Sequence, residues 1–384
     1  MAATTDAALS FVAAAAIAWL LVPYVERLAF RIGAIDYPVE RSLHDKPMPR
    51  LSGLAILVAV EASGWIWLPG DSQSRWILIG GVAMAGVGFL DDLYDLPALP
   101  KLCGQIAAAL IPVLAGVRVE NLTLPFLGGF ELHGWGYPLT VLGIVAVANV
   151  INFLDGVDGL AAGVCAIAAV TLATIALSLE RNSAGVLAAL TAGAALGFLR
   201  HGFPPASSFM GDTGSNLLGY LLATASVQGA LKTNAVIALA FPLIVLAVPI
   251  LDTGFVVAKR LKYRQPIYQA DSWHFHHRMA NMGFSQRRTV AYLYAWTIVM
   301  AALALALRFV PYSDNHGHFN ALWTAVMLVL IAAALAYSVY LVYVLEILKL
   351  RRGKINPETG EFEALELADD PVPPKPTSGS GKGH

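Results

Sequence analysis

The chain has 384 residues, 57% of them hydrophobic and 13% charged, with a net charge of −1. Globular domains are about 45–50% apolar and about 25% charged, so a soluble fold of this composition would lack the charges to coat its surface. Two cysteines exclude a disulfide scaffold, and the near-neutral balance offers no basic field to nucleic acid.

What remains is an all-α polytopic membrane protein whose charges punctuate its spans. A helix rises about 1.5 Å per residue, so roughly 20 apolar residues cross about 30 Å of hydrocarbon with the backbone satisfied internally. Nineteen uncharged residues separate Asp6 from Glu26, twenty-one separate Asp158 from Glu180, and thirty-one separate Asp314 from Glu346. This spacing predicts eleven transmembrane helices, near 7–27, 51–69, 76–90, 102–117, 136–154, 159–179, 184–200, 214–230, 234–256, 289–310 and 321–346. The leading MAATTDAALS carries no Lys or Arg, so the first span reads as a retained helix rather than a signal peptide. Segment 118–135 alternates around a Gly-Gly pair and predicts a small external β-hairpin. Residues 1–350 read as a single integral-membrane domain. Residues 351–384, acidic and then rich in Pro, Gly and Ser, read as a disordered tail.

With the spans alternating sides, loops 27–50, 91–101, 200–213 and 257–288 and the tail from 347 hold 20 of the 25 basic residues. Positive charge accumulates on the cytoplasmic side. The amino terminus is therefore expected outside and the carboxyl terminus in the cytoplasm.

The polar residues that could carry chemistry fall at the cytoplasmic ends of spans. Asp91, Asp92 and Asp95 lie in GFLDDLYD; Asn149, Asn152, Asp155 and Asp158 lie in NVINFLDGVDGLAAG; Asp212 lies in FMGDTGS; His274, His276, His277 and Arg278 lie in HFHHR. The adjacent Asp91 and Asp92 read either as a solvated helix end or as carboxylates held close by a cation or a shared proton. N-x-x-N-x-x-D-G-x-D-G packs four oxygen-bearing side chains and two glycines into eleven residues. Asn and Asp oxygens suit a hard cation such as Mg²⁺. Gly211-Asp212-Thr213-Gly214-Ser215 reads either as a turn and helix cap or as an acid with backbone N–H groups placed for phosphate oxygens or their metal. The histidine run admits zinc, but Arg278 beside it favours an anion such as phosphate. Lys46, Arg50 and Lys101 are further phosphate candidates, each also readable as a positive-inside flank. Glu61 is unusual for its depth in a span and calls for a partner on a neighbouring helix.

At these residues the sequence resembles the polyprenyl-phosphate N-acetylhexosamine-1-phosphate transferases, glycosyltransferase family 4. The blocks KPMPRLSGLAI, GFLDDLYD, NVINFLDGVDGLAAG with FMGDTGS, and HFHHR occur in order from about Leu43 to Arg278. The resemblance implies transfer of a sugar-1-phosphate from a UDP-N-acetylhexosamine to undecaprenyl phosphate, with UMP released, at the cytoplasmic face of a bacterial inner membrane. It implies Mg²⁺, with Mn²⁺ as an alternative, on Asn152 and Asp212. Asp91 and Asp92 would receive the lipid phosphate, Lys101 the diphosphate, and Asp158 with Phe209 the uracil. His276, His277 and Arg278 would bind phosphate and sugar, and Asp155 would be essential within its motif. His274-Phe275-His276-His277, in place of three consecutive histidines, resembles the branch using simple N-acetylhexosamines, with UDP-GlcNAc as default. The phospho-MurNAc-pentapeptide branch is the alternative. Arg50-Leu51-Ser52-Gly53 departs from the commoner P-x-x-G-G form. Relatives form homodimers, and the resemblance allows a homodimer here. Against a secondary transporter stand the acids gathered at one face, since transporter sites lie near the midplane, often between inverted repeats. A structural scaffold would have no use for such a gathering.

Overall fold

The computed structural model describes residues 2–38, 46–124, 128–230, 243–244, 246–262, 279, 284–311, 320–347, 353–355 and 362–364. These residues are mostly helical: α1 (Ala2–Ile32), α2 (Gly53–Trp67), α3 (Ser72–Tyr94), α4 (Ala98–Leu114), α5 (Gly136–Leu154), α6 (Leu160–Ser178), α7 (Asn182–Gly202), α8 (Gly211–Ala230), α9 (Ala247–Lys262), α10 (Gln286–Phe309) and α11 (Ala321–Ile347). Three two-stranded antiparallel pairs accompany them: β1 (Ile35–Asp36) with β2 (Met48–Pro49), β3 (Asn121–Leu124) with β4 (Gly128–Glu131), and β5 (Gly353–Ile355) with β6 (Phe362–Ala364). The expected hairpin in 118–135 is β3–β4, with Asn121 opposite Glu131. Within the segment expected to be an unstructured tail, β5 and β6 pair.

Among the described residues seven helices, namely α1, α3, α5, α6, α7, α10 and α11, are long and apolar enough to cross a membrane. Helices α2 and α4 are apolar but shorter. Of the expected span 234–256, residues 234–242 and 245 lie outside the described residues; its later part falls in α9, which begins at Ala247 and carries Lys259, Arg260 and Lys262 in its last turns. Helix α8 falls short of a lipid-facing composition because Asp212, Thr213, Ser215 and Asn216 open it. It tolerates them by being surrounded by protein. Leu217, Leu218, Tyr220, Leu221 and Leu222 are fully buried, and so are Thr213, Ser215, Asn216 and Thr224. Polar side chains in a bilayer are expensive unless they face the bundle interior.

Small residues let the helices close up. On α7, Gly193 and Gly197 form a G-x-x-x-G face; a Cβ on Gly193 would lie 2.1 Å from the Phe11 carbonyl oxygen, and one on Gly197 2.3 Å from that of Ala15. Where lipid is as apolar as leucine, such close backbone approach is what makes helices associate. Pro23 lies inside α1. A proline has no N–H, so the carbonyl four residues earlier loses its helical donor. That carbonyl, Trp19, lies 3.0 Å from His201 Nε2 at the end of α7, which must carry the proton because a carbonyl only accepts. Deeper in the bundle, Tyr220 on α8 donates to the Ile77 carbonyl of α3 at 2.7 Å. Glu61 accepts from Trp65 in its own helix at 3.0 Å, not from the neighbouring helix its depth suggested.

A bulky residue at the α1–α7 seam should separate the two helices. Gly193→Leu is expected to cost about 1–3 kcal/mol, the usual penalty of overpacking, and to lower the thermal unfolding midpoint in detergent. Gly86→Leu, where a Cβ meets nothing within 4 Å, should leave the midpoint nearly unchanged.

Candidate active site

The site begins where α3 meets the first turn of α8. The first N–H groups of a helix have no partner within it and need acceptors from outside. Here the acceptor comes from another helix. Asp92 takes the Asp212 N–H on Oδ1 at 2.8 Å, and the Thr213 N–H and hydroxyl on Oδ2 at 2.9 and 2.7 Å. Asp92 is only 9% exposed. Two glycines make the approach possible. Gly211 adopts φ +65°, and a Cβ there would lie 2.2 Å from the Arg50 carbonyl oxygen and 2.5 Å from Asp92 Oδ2. A Cβ on Gly88, one turn before Asp92, would lie 2.3 Å from the Asp212 carbonyl oxygen.

With α8 capped in this way, the Asp212 carboxylate comes beside its counterparts on α3, α4 and α5. Lys101 Nζ lies 2.8 Å from Asp91 Oδ2 and 3.4 Å from Asn152 Oδ1, and it also donates to Asp212 Oδ2. Asp91 Oδ1 accepts the Leu96 N–H at 2.7 Å, and Asn152 Nδ2 donates to the Ser215 hydroxyl at 2.9 Å, turning its oxygen toward the lysine. Three helices thus deliver two carboxylates and a carboxamide oxygen to the one cation carried by a fourth. Among the described residues no three acidic, histidine or cysteine side chains converge as a metal-ligand set; the oxygens that converge are those of Asp91, Asn152 and Asp212. They form an all-oxygen set of the kind hard divalent cations prefer, and they already surround one positive charge.

The loop between α5 and α6 closes one side. Asp155 has a partial opening to solvent, yet burial pushes its carboxyl well above the usual carboxylate range, with Asp212, Asp92 and Asp158 adding to the shift and Arg50 opposing it. Asp158 Oδ2 accepts the Ala206 N–H at 3.0 Å, and Tyr294 of α10 donates to the Gly159 carbonyl at 2.6 Å. Segments 49–53 and 208–210 form a backbone seam leading into α8. Phe209 N–H donates to the Pro49 carbonyl at 2.9 Å, Ser52 N–H to that of Phe209 at 3.1 Å, and Gly53 N–H to that of Met210 at 2.9 Å. Ser52, where the sequence departs from P-x-x-G-G, is buried and shares a hydroxyl–hydroxyl hydrogen bond with Ser208.

The expected site residues therefore divide. Asp91, Asp92, Lys101, Asn152 and Asp212 come together directly. Asp155, Asp158 and Phe209 border them. Arg50 lies 3.9 Å from Asp36 and 4.0 Å from Asp95 at the rim, and Lys46 is exposed. Asn149 lies one helical turn from Asn152, with its N–H groups on Gln105 and the Val145 carbonyl, each at 2.8 Å. His274, His276, His277 and Arg278 lie outside the described residues. Sequence reasoning took Thr213 and Ser215 only as part of a cap or phosphate-binding turn, and it missed Gln105 and Asn216. These two stand four residues after Lys101 and Asp212, a spacing that shares a helix face.

Comparison with known proteins places this arrangement. The glycosyl transferase family 4 profile matches residues 74–230, the stretch holding every side chain of the cluster. A probable undecaprenyl-phosphate N-acetylglucosaminyl 1-phosphate transferase of Bacillus subtilis (strain 168) is 34% identical over 293 residues, covering 75% of this chain and 81% of that protein. The chain belongs to glycosyl transferase family 4. Its similarity extends to the decaprenyl-phosphate N-acetylglucosaminephosphotransferase of Mycobacterium leprae (strain TN), 36% identical over 327 residues, 77% of this chain and 82% of that protein. The phospho-N-acetylmuramoyl-pentapeptide-transferase of Desulforudis audaxviator (strain MP104C) is 31% identical over 319 residues, 75% of this chain and 92% of that protein.

The adjacent aspartates of this family member should separate in their effect on stability. Asp92→Asn puts an amide where three donors converge and is expected to cost about 1–3 kcal/mol, the penalty of unsatisfied buried donors. Asp91→Asn leaves Lys101 paired with Asp212 and should cost far less. Thermal unfolding in detergent reads both.

Proposed function

We propose that the protein transfers N-acetylglucosamine-1-phosphate from UDP-GlcNAc to undecaprenyl phosphate, giving undecaprenyl-diphosphate-GlcNAc and UMP, and so begins a cell-surface polysaccharide. The observation that carries this reading is the convergence of Asp91, Asn152 and Asp212 on Lys101. A reaction between a nucleotide diphosphate and a lipid phosphate brings together several negative charges beside hydrocarbon. A cluster of hard oxygens with an ammonium can position and neutralise them. The names of the relatives support GlcNAc as the sugar, and His274-Phe275-His276-His277 supports the simple-sugar branch over the pentapeptide branch.

In this proposal eleven helices span the bacterial inner membrane, with the amino terminus outside and the site on the cytoplasmic face. The asymmetry of Lys and Arg supports that orientation. Asn152 and Asp212 hold Mg²⁺, for which Mn²⁺ can substitute; the ion supplies positive charge to the diphosphate. Lys101 gives up part of its contact with the carboxylates and binds the diphosphate. Asp91 orients the lipid phosphate. That phosphate has a second pKa of about 6 and needs little help from a base near neutral pH. Its oxygen attacks the β-phosphorus in line, the new P–O bond forms as the bond to the UMP oxygen breaks, and UMP departs with the electron pair. Catalysis of this kind rests on positioning and electrostatic stabilisation. Asp92 contributes by holding α8, since both of its oxygens are committed there. Asp158 holds the strap that carries Phe209, whose ring borders the uracil. His276, His277 and Arg278 receive phosphate and sugar.

The direct test incubates the purified protein with undecaprenyl phosphate, Mg²⁺ and a panel of UDP-sugars and identifies the lipid product by mass. UDP-GlcNAc is expected to give the diphosphate-linked sugar, and no lipid product with any UDP-sugar would overturn the reading. Asp212→Ala and Asn152→Ala should each lower turnover by at least about 100-fold, the scale of removing a main electrostatic contact. Asp95→Ala should be mild, because its side chain is 93% exposed at the rim. Radiolabelled sugar-phosphate bound to protein in the absence of lipid would replace direct attack with a covalent route.

A further inference from the structure

Directly beneath the carboxylate cluster lies a second polar layer that the transfer reaction does not use. Gln105 Nε2 donates to Asn216 Oδ1 at 3.1 Å and to Asn149 Oδ1 at 3.4 Å, while Asn149 Nδ2 returns a hydrogen bond to Gln105 Oε1 at 2.8 Å. Gln105 is 1% exposed and Asn216 is fully buried. The layer repeats three of the four members of the one above it. Gln105 follows Lys101 by four residues on α4, Asn216 follows Asp212 by four on α8, and Asn149 precedes Asn152 by three on α5. At about 1.5 Å of rise per residue, each amide sits one turn below a member of the cluster, on the same face of its helix.

Burying three carboxamides among apolar helices is costly unless they satisfy one another. These do so almost completely. Asn149 uses both N–H groups, on Gln105 and the Val145 carbonyl, and Gln105 uses both of its own. Of the side-chain atoms of these three amides, Asn216 Nδ2 alone is buried without a partner among the described residues. A network in which nearly every donor has an acceptor holds its helices at one separation and one rotation, because a shift of α4 breaks bonds to both α5 and α8, and a shift of either of those breaks its bond to Gln105.

We propose that Gln105, Asn149 and Asn216 are positioning residues that set the spacing of Lys101, Asn152 and Asp212, and with it the affinity of the upper layer for a divalent cation. The inference rests on the metal reading given above. None of the three touches substrate; they act through the residues one turn above. Outer contacts that orient metal ligands commonly change affinity or activity about 10–100-fold when removed.

The experiment titrates the purified full-length protein in detergent with Mn²⁺, reading free ion by electron paramagnetic resonance, and measures kcat and KM for UDP-GlcNAc across Mg²⁺ concentrations. For Gln105→Leu and Asn216→Leu the expected result is Mn²⁺ binding weakened about 10-fold. A raised Mg²⁺ requirement and a lowered kcat should accompany it, with KM for UDP-GlcNAc little changed. Asn216→Ala, which removes the acceptor without inserting a branched side chain, gives the same reading if either leucine variant fails to fold. Wild-type Mn²⁺ affinity and kcat in folded variants would overturn the positioning role while leaving the metal site intact. Failure of the wild-type protein to take up Mn²⁺ would overturn both.

Discussion

A carboxylate on one helix capping the first turn of another is the constraint on which the site depends. Asp92 is buried at the end of α3, and its two oxygens are filled by the leading N–H groups of α8 and the Thr213 hydroxyl. The contact requires Gly211 in a left-handed conformation and Gly88 opposite it. Without the cap, the start of α8 would have unpaired donors inside the protein. With it, Asp212 is delivered beside Asp91, Lys101 and Asn152. Like charges gathered so closely repel, and the lysine ammonium among them offsets that repulsion.

Helix α8 also shows how a membrane protein can afford a polar centre. Its opening turn is rich in hydroxyl, amide and acid groups, yet the helix packs among α2, α3, α5, α6 and α7 rather than against lipid. The polar groups sit where neighbouring helices supply matching donors and acceptors, so hydrocarbon does not meet them. The apolar helices outside, α1 and α11 above all, face outward with many large hydrophobic residues exposed, as lipid-facing surfaces require.

Much of this was legible in the sequence. Uncharged runs bracketed by acids and bases located α5, α6, α10 and α11 closely, since hydrophobic length is a local property. The residues that converge on Lys101 stood out as polar groups at the ends of apolar segments. What the chain alone did not disclose are relations between helices. Asp91 and Asp92 look alike in sequence, and only the packing of α3 on α8 separates one that faces the cluster from one that caps a helix. Ser52 read as a departure from a glycine pattern; its buried hydrogen bond with Ser208, more than 150 residues away, depends on the tertiary seam. Gln105 and Asn216 carried a signal in their spacing, but each is an ordinary helix residue until three helices bring the amides together. The shortfall in apolarity of α8 had a like cause, because local composition does not register that a helix is enclosed by others.

In the proposed mechanism the oxygens of Asn152 and Asp212 hold a divalent cation against a nucleotide's phosphates. The most direct measurement is a structure of the purified protein with UMP and Mn²⁺, the ion located by its anomalous scattering. The ion is expected between Asn152 and Asp212, with the UMP phosphate against it and the Lys101 ammonium turned toward that phosphate. An ion bound elsewhere, with Lys101 still seated among Asp91, Asn152 and Asp212 while UMP is present, would contradict it.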